Sequence, residues 1–238
     1  AILAREAGFP PRRALLGGAI ALSAAGWTKQ HAVVTTAAVF LYLFLRDPRR
    51  AMAWGGLVAA ASLALFLLID RATGGYWFLN TVLANVNEYD YRQAFFLYSQ
   101  WFRLHAVVLT LAAALVLYEL YFDRLSLYSV WAVVAAAGGA LAGKWGAGES
   151  YFVTAVVAGI LAAARLLHRL ADGVKGRPAA RAALALLVPA VLLAQSALVF
   201  HLPTDHPLTA PVARWLGRIK AAAARVNGEL GLLDPDKA

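Results

Sequence analysis

Three clusters in this chain combine residue types that can do chemistry. The first is Gly26-Trp27-Thr28-Lys29-Gln30-His31, in which one ammonium and one imidazole stand between two uncharged apolar runs. A lysine so placed is costly at membrane depth unless paired, which makes it a functional candidate, although a lysine at a helix end can also snorkel to the headgroups. If it has a function, an ammonium at the outer leaflet suits a lipid phosphate, to which it presents a point charge. His31 is read as a packing residue. The second cluster is Lys144-Trp145-Gly146-Ala147-Gly148-Glu149-Ser150-Tyr151-Phe152, where two glycines permit close backbone approach. Its plain reading is a tight hairpin turn between two helices with an exposed Lys144–Glu149 salt bridge and Glu149 favourably opening a helix. The third is the stretch from Tyr76 to Phe102, dense in aromatic rings, with Glu88, Asp90 and Arg92 and the amides of Asn80, Asn85 and Asn87 among them. Such rings favour the membrane interface. They would equally serve as a platform for a sugar or a prenyl chain, with the polar groups supplying hydrogen bonds.

These clusters need elements to position them, and the composition says which kind. The 238 residues are 61% hydrophobic and 15% charged, with a mean hydropathy of +0.64, and the apolar residues lie in blocks rather than on one face. That pattern suits a lipid solvent and predicts an all-α, polytopic transmembrane helix bundle. A crossing needs about 20 apolar residues. Five segments meet or approach this, at 51–69, 103–121, 125–143, 150–168 and 182–201, and a short N-terminal pair at 14–28 and 30–45 is split by Lys29. The pair is either two short crossings or a re-entrant dip, and both return the chain to the same side. Pro189 should kink the last span, and Gln195 and Ser196 want partners inside the bundle.

Loop charge orients the bundle. One set of alternate loops holds twelve Lys and Arg, from Arg5, Arg12 and Arg13 through Arg46, Arg49, Arg50 and Arg124 to Arg165, Arg169, Lys175, Arg177 and Arg181. The other holds Lys29, Arg71, Arg92, Arg103 and Lys144. Positive residues are retained in the cytoplasm. The connection 70–102, the turn around Lys144 and the tail from 202 are therefore expected on the extracytoplasmic side. Residues 1–201 form the expected membrane bundle, and 202–238 an extracytoplasmic tail whose stretch 210–226 reads as an amphipathic helix, lying on the surface or starting a small soluble domain. The net charge of +9 is mostly this loop bias, so nucleic acid is not an expected partner. There is no cysteine, and no His or carboxylate cluster has metal-ligand spacing, so neither thiolate chemistry nor a metal or other cofactor is indicated. The chain opens on Ala1 without a signal sequence and is expected to be a piece of a longer protein.

Taken together, three segments resemble polytopic glycosyltransferases of the GT-C class, in the dolichyl-phosphate-mannose-transferase-like or ArnT-like group. The small-residue helix ending in Ala25-Gly26-Trp27-Thr28-Lys29-Gln30 looks like that group's helix closing on a Thr-Lys pair. Thr73-Gly74-Gly75 followed by Asn80-Thr81-Val82-Leu83-Ala84-Asn85-Val86-Asn87 resembles its outer-face segment, and Gly146-Ala147-Gly148-Glu149-Ser150-Tyr151-Phe152 resembles its Gly-x-Gly-x-Asn-Tyr-Phe turn, with Ser150 where the family commonly has Asn. The resemblance implies transfer of a sugar from a polyprenyl-phosphate donor to an acceptor at the extracytoplasmic face of a membrane, in all expectation the bacterial plasma membrane. It implies donor-phosphate contacts from Lys29 and Lys144 and substrate contacts from Gln30, Glu88, Asp90, Arg92, Arg103, Glu149 and Tyr151. The acidic catalytic residue of the family belongs to a loop expected upstream of Ala1, so none is assigned here. The alternative is a different envelope membrane protein, such as an oligosaccharide ligase, a flippase or a transporter subunit; a transporter would want paired midplane charges or inverted repeats, and neither is found.

Overall fold

The computed structural model of the protein describes residues 11–29 and 31–199, with Arg218 and Ala221 as isolated helical positions. Gln30 and the stretch 210–226 apart from those two positions lie outside the described residues. The chain divides into two compact units, Ala1–Gln195 and Ser196–Ala238. Of the described residues 85% are helical and none is in a strand, which makes the fold all-α. Eight helices follow in order: α1 Arg12–Thr28, α2 Ala32–Phe44, α3 Pro48–Ala72, α4 Tyr76–Thr81, α5 Tyr91–Phe122, α6 Leu127–Gly138, α7 Val153–Gly173 and α8 Pro178–Val199. Single 3-10 turns at Leu83–Asn85, Gly139–Gly143 and Glu149–Phe152 complete them.

Local chemistry sets several of these boundaries. Asp47 caps α3 by accepting from Arg50 N at 3.1 Å, and Pro48 occupies the first helical position, where its missing N–H costs nothing. Asp90 and Ser126 cap α5 and α6 in the same way. The helix α3, with 25 residues, reaches about 38 Å, longer than the ~30 Å hydrocarbon core. Among the described residues, four helices are long and apolar enough to cross a membrane: α3, α5, the helix running Glu149–Gly173, and α8. This is an integral membrane protein by length and composition. The surface agrees, because α8 has no buried residue and α3 buries only Ala51 and Trp54, leaving apolar side chains outward as lipid requires.

Two expectations need correction. The stretch 125–143 does not form one full-length helix: α6 stops after 12 residues and tightens into the 3-10 turn Gly139–Gly143. The glycines explain the narrowing, since a Cβ on Gly138 would stand 2.8 Å from both Val34 methyls and one on Gly139 2.6 Å from Phe152. The connection 70–102 is also shorter than expected. With α3 running to Ala72 and α5 starting at Tyr91, only 73–90 lies between spans, and Arg92 and Arg103 belong to α5. As for the N-terminal pair, Trp54 Nε1 bonds Leu15 O at one end of α1 and Trp27 stacks on Trp77 at the other, ring centroids 5.8 Å apart. Thus the start of α1 packs on α3 and its end on α4.

Small residues bring the helices together. On α7, Ala155, Ala158, Gly159, Ala162 and Ala163 are buried at a helical repeat that faces α5, where Leu97, Trp101, Ala112 and Leu115 are buried. Small side chains let helix backbones approach closely, which is how helices associate in lipid. The long α5 breaks at His105, with φ −124° and ψ 22°. Gln195 of α8 mends the break: its Oε1 accepts from Val107 N at 3.1 Å and its Nε2 donates to Leu104 O at 2.8 Å. That is the bundle partner expected for Gln195. It satisfies backbone groups that lipid could not.

Candidate functional site

One end of the bundle collects the α1–α2 junction, the excursion 73–90 and the turn 143–152. Asp90 N donates to Gly143 O at 2.7 Å and Trp145 N to Glu88 O at 2.8 Å, around an isolated antiparallel bridge of Tyr89 with Lys144. Side chains reinforce it. Asn87 Nδ2 reaches Trp145 O at 3.0 Å, Tyr89 Oη reaches Ala140 O at 3.0 Å, and Gln93 Nε2 lies within bonding distance of Ala142 O, Lys144 O and Ala147 O at 2.7, 3.0 and 3.3 Å. This close apposition needs Gly143, since a Cβ there would sit 2.6 Å from the Tyr89 ring and 2.9 Å from Asp90 O. Gly146 turns the chain at φ 78°, a conformation that disfavours side chains.

The clamp holds the Lys144 turn against the first junction. Tyr151 lies on the His31 ring, with centroids 3.7 Å apart, and so joins the end of the turn to the start of α2. Burial, then the ammoniums of Lys29 and Lys144, push the His31 imidazole below its ordinary pKa. The Tyr151–His31 contact thus brings together the segments that carry Lys29 and Lys144, although 115 positions of sequence separate the two lysines. Neither has a carboxylate within 4 Å among the described residues. His31 Nδ1 is buried with no hydrogen-bond partner among them. His31 is thus more than a packing residue in its placement, a point that its residue type alone did not signal.

The other expected site residues separate. The Lys144–Glu149 salt bridge does not form; Glu149 is exposed and lines a different cavity. Asp90 Oδ1 is committed to its cap, accepting from Arg92 N at 2.7 Å, and Asp70 Oδ1 likewise accepts from Phe78 N at 2.7 Å. Glu88 contributes its backbone carbonyl to the clamp while its residue stays exposed. Arg92 turns to Tyr91, its Nε 3.3 Å from the phenol oxygen, and Arg103 donates to Gln100 Oε1 at 2.9 Å, each on its own helix. Gln93 was not legible as a site residue, since an amide among aromatic residues at a helix start carries no signal of three carbonyl partners.

Two cavities open near this end. A groove of about 700 Å³ between α1, α2, α3 and α4 is lined mainly by apolar side chains, among them Leu22, Val58, Phe66 and Trp77, with Ser23, Thr28, Thr36, Ser62 and Thr81 as its hydroxyls. Thr28 immediately precedes Lys29. A second cavity of about 440 Å³ lies between α5, the turn Glu149–Phe152 and α7. Trp101, 5% exposed, lines it, and its Nε1 has no acceptor among the described residues.

The opposite end handles charge differently. Glu119 is fully buried, and Arg169 Nη2 and Arg165 Nε lie 3.2 and 3.5 Å from its Oε1. Its Oε2 accepts from Ser126 N at 2.7 Å and Ser129 Oγ at 2.6 Å. Arg169 also bonds Asp123 at 2.5 Å, and this guanidinium, helped by the backbone N–H of Arg124, holds the Asp123 carboxyl below the usual carboxylate range. Arg165 lies over Tyr128 and Arg169 over Tyr118, at 5.5 and 5.4 Å. In the sequence these arginines look like loop charge, and nothing marks Glu119 as buried.

Comparison with protein-family models, with curated proteins and with solved structures gave no match for this chain. Among the described residues, no three His, Cys, Asp or Glu side chains gather as a metal site would require.

Proposed function

We propose that this chain is the membrane-embedded part of a GT-C class glycosyltransferase, moving a sugar from a polyprenyl-phosphate-linked donor to an acceptor on the extracytoplasmic face. The observation that carries the reading is the pairing of two kinds of site at one end of the bundle. Lys29 stands two residues before His31, on whose ring Tyr151 of the Lys144 turn packs, and neither ammonium has a carboxylate within 4 Å among the described residues; Thr28, one residue from Lys29, lines the apolar groove. A lipid phosphate has the matching form, an anion at the end of an apolar chain.

In such a reaction the acceptor oxygen forms a bond to the sugar's anomeric carbon as the bond from that carbon to the phosphate oxygen breaks. Negative charge then grows on the leaving phosphate. Ammonium groups already in place at that point stabilise it without reorganising. The proton of the acceptor passes to a base that is not assigned to any residue here. Asp70 and Asp90 are not assigned that role; one oxygen of each, Oδ1, already serves a backbone N–H.

The test is transfer of label from a polyprenyl-phosphate sugar by membranes containing the full-length protein. Lys29→Gln and Lys144→Gln should each lower the rate roughly 10- to 100-fold, the loss of a charge-assisted contact of about 1.5–3 kcal/mol. Wild-type rates in both variants at matched expression would sink the proposal.

A further inference from the structure

The cavity between α5 and α7 has a chemistry opposite to that of the lysine pair. Its walls are apolar, with Trp101, Phe152 and Val156 among them, and its polar groups are Gln100, His105, Glu149 and Ser150. Glu149 is the one carboxylate, and no lysine or arginine lines the cavity among the described residues. Coulomb repulsion from an exposed carboxylate disfavours an anionic head in so small a space. At about 440 Å³ the cavity falls within the usual range of small-ligand pockets, roughly 300–1,000 Å³.

The polar groups call for a partner that both donates and accepts. The Glu149 carboxylate only accepts. Arg103 occupies the Gln100 carbonyl oxygen at 2.9 Å, so the amide NH2 is what Gln100 has left to offer. The Ser150 hydroxyl does both. His105 Nδ1 is engaged with Trp101 O at 3.1 Å, leaving Nε2 as its second ring atom. An ammonium head could satisfy Glu149 but could accept nothing from Gln100. A hydroxyl does each in turn.

We propose that this cavity is a second ligand site, separate from the lysine pair, which takes the uncharged polyol head of an amphiphile, with the apolar body of that molecule against Trp101, Phe152 and Val156. The inference goes beyond the donor reading and stands on different residues. Were that reading to hold, this would be the place where a hydroxyl-bearing acceptor lipid is kept apart from the phosphate-bearing donor.

The full-length protein in lipid nanodiscs can be titrated with radiolabelled octyl glucoside below its micellar concentration, with octanol and octyl phosphate as competitors. Octyl glucoside should bind saturably and be displaced at most weakly by octanol, which has the tail without the polyol, or by octyl phosphate. Glu149→Ala should weaken binding at least 5-fold, and Val156→Trp, which fills the cavity, should abolish it. Lys29→Gln should leave it unchanged. Because Val156→Trp could also disturb α7, Glu149→Ala at an unchanged thermal midpoint is the deciding variant. Wild-type binding in Glu149→Ala, equal displacement by octanol, or loss of binding in Lys29→Gln overturns the proposal. The transfer assay on the lysine variants reads the donor site alone, so failure of one reading is distinguishable from failure of the other.

Discussion

The two ends of the bundle treat positive charge in opposite ways. At the arginine end, Arg165 and Arg169 converge on the fully buried Glu119, and Arg169 takes Asp123 as well. Cations and carboxylates there complete one another, and the group also caps α6 through Ser126 and Ser129. At the lysine end, Lys29 and Lys144 lie in the two segments that the Tyr151–His31 contact joins, without a carboxylate within 4 Å among the described residues, although Glu88, Asp90 and Glu149 are close by in sequence to the elements involved. Charge that is neutralised internally holds a fold together. Charge without an internal partner is available to something outside the chain.

That contrast can be broken most forcefully at Glu119. Glu119→Ala removes the carboxylate that Arg165 and Arg169 share, leaving Arg169 with Asp123, and should destabilise the protein by about 3–5 kcal/mol, read as a drop in thermal midpoint in nanodiscs. An unchanged midpoint would mean that the arginine end is not a structural unit. Next in size is Gly143→Ala, which drives a methyl into the Tyr89 ring and the Asp90 carbonyl and should cost roughly 1–3 kcal/mol. If it also lowers sugar transfer more than its effect on stability explains, the clamp positions Lys144 as well as folding the turn.

A smaller effect concerns acid. Asp123 has a folded-state pKa lowered by Arg169, so its contribution is present above the unfolded value, about 3.9, and is lost as pH falls through the lower folded value. Asp123→Asn should therefore flatten the fall in thermal midpoint below about pH 4. An acid limb as steep as wild type would remove Asp123 from the network. The smallest expected shift sharpens the comparison from the other side. Lys29→Gln and Lys144→Gln should leave the midpoint within about 0.5 kcal/mol of wild type while lowering transfer, since neither ammonium has an ion-pair partner to lose among the described residues. A large loss of stability in either would make the lysine end structural too.

Much of the fold was legible because the membrane reads the sequence one segment at a time. Apolar length is a local fact, and the segments it marked at 51–69, 103–121, 150–168 and 182–201 fall on α3, α5, α7 and α8, although α5 begins well before 103. The failure at 125–143 has a local cause that only packing exposes: Gly138 and Gly139 are apolar by hydropathy, yet their lack of side chains admits Val34, Phe152 and Tyr98 and ends the regular helix. The site was legible in parts, as two lysine-bearing clusters, and not as a whole. No periodicity links Lys29 with Lys144, and nothing in residue type tells Asp90, spent on a helix cap, from Glu149, free beside a cavity.

By itself, then, the sequence determined that this is an all-helical membrane protein and where its principal spans lie, because transfer into lipid is decided by the composition of each segment. Only the tertiary structure decided which charges meet. Partnering depends on distances between elements far apart in the chain, and those are set when Tyr151 lies on His31, when Gly143 admits Tyr89, and when Glu119 is enclosed with two arginines at the other end.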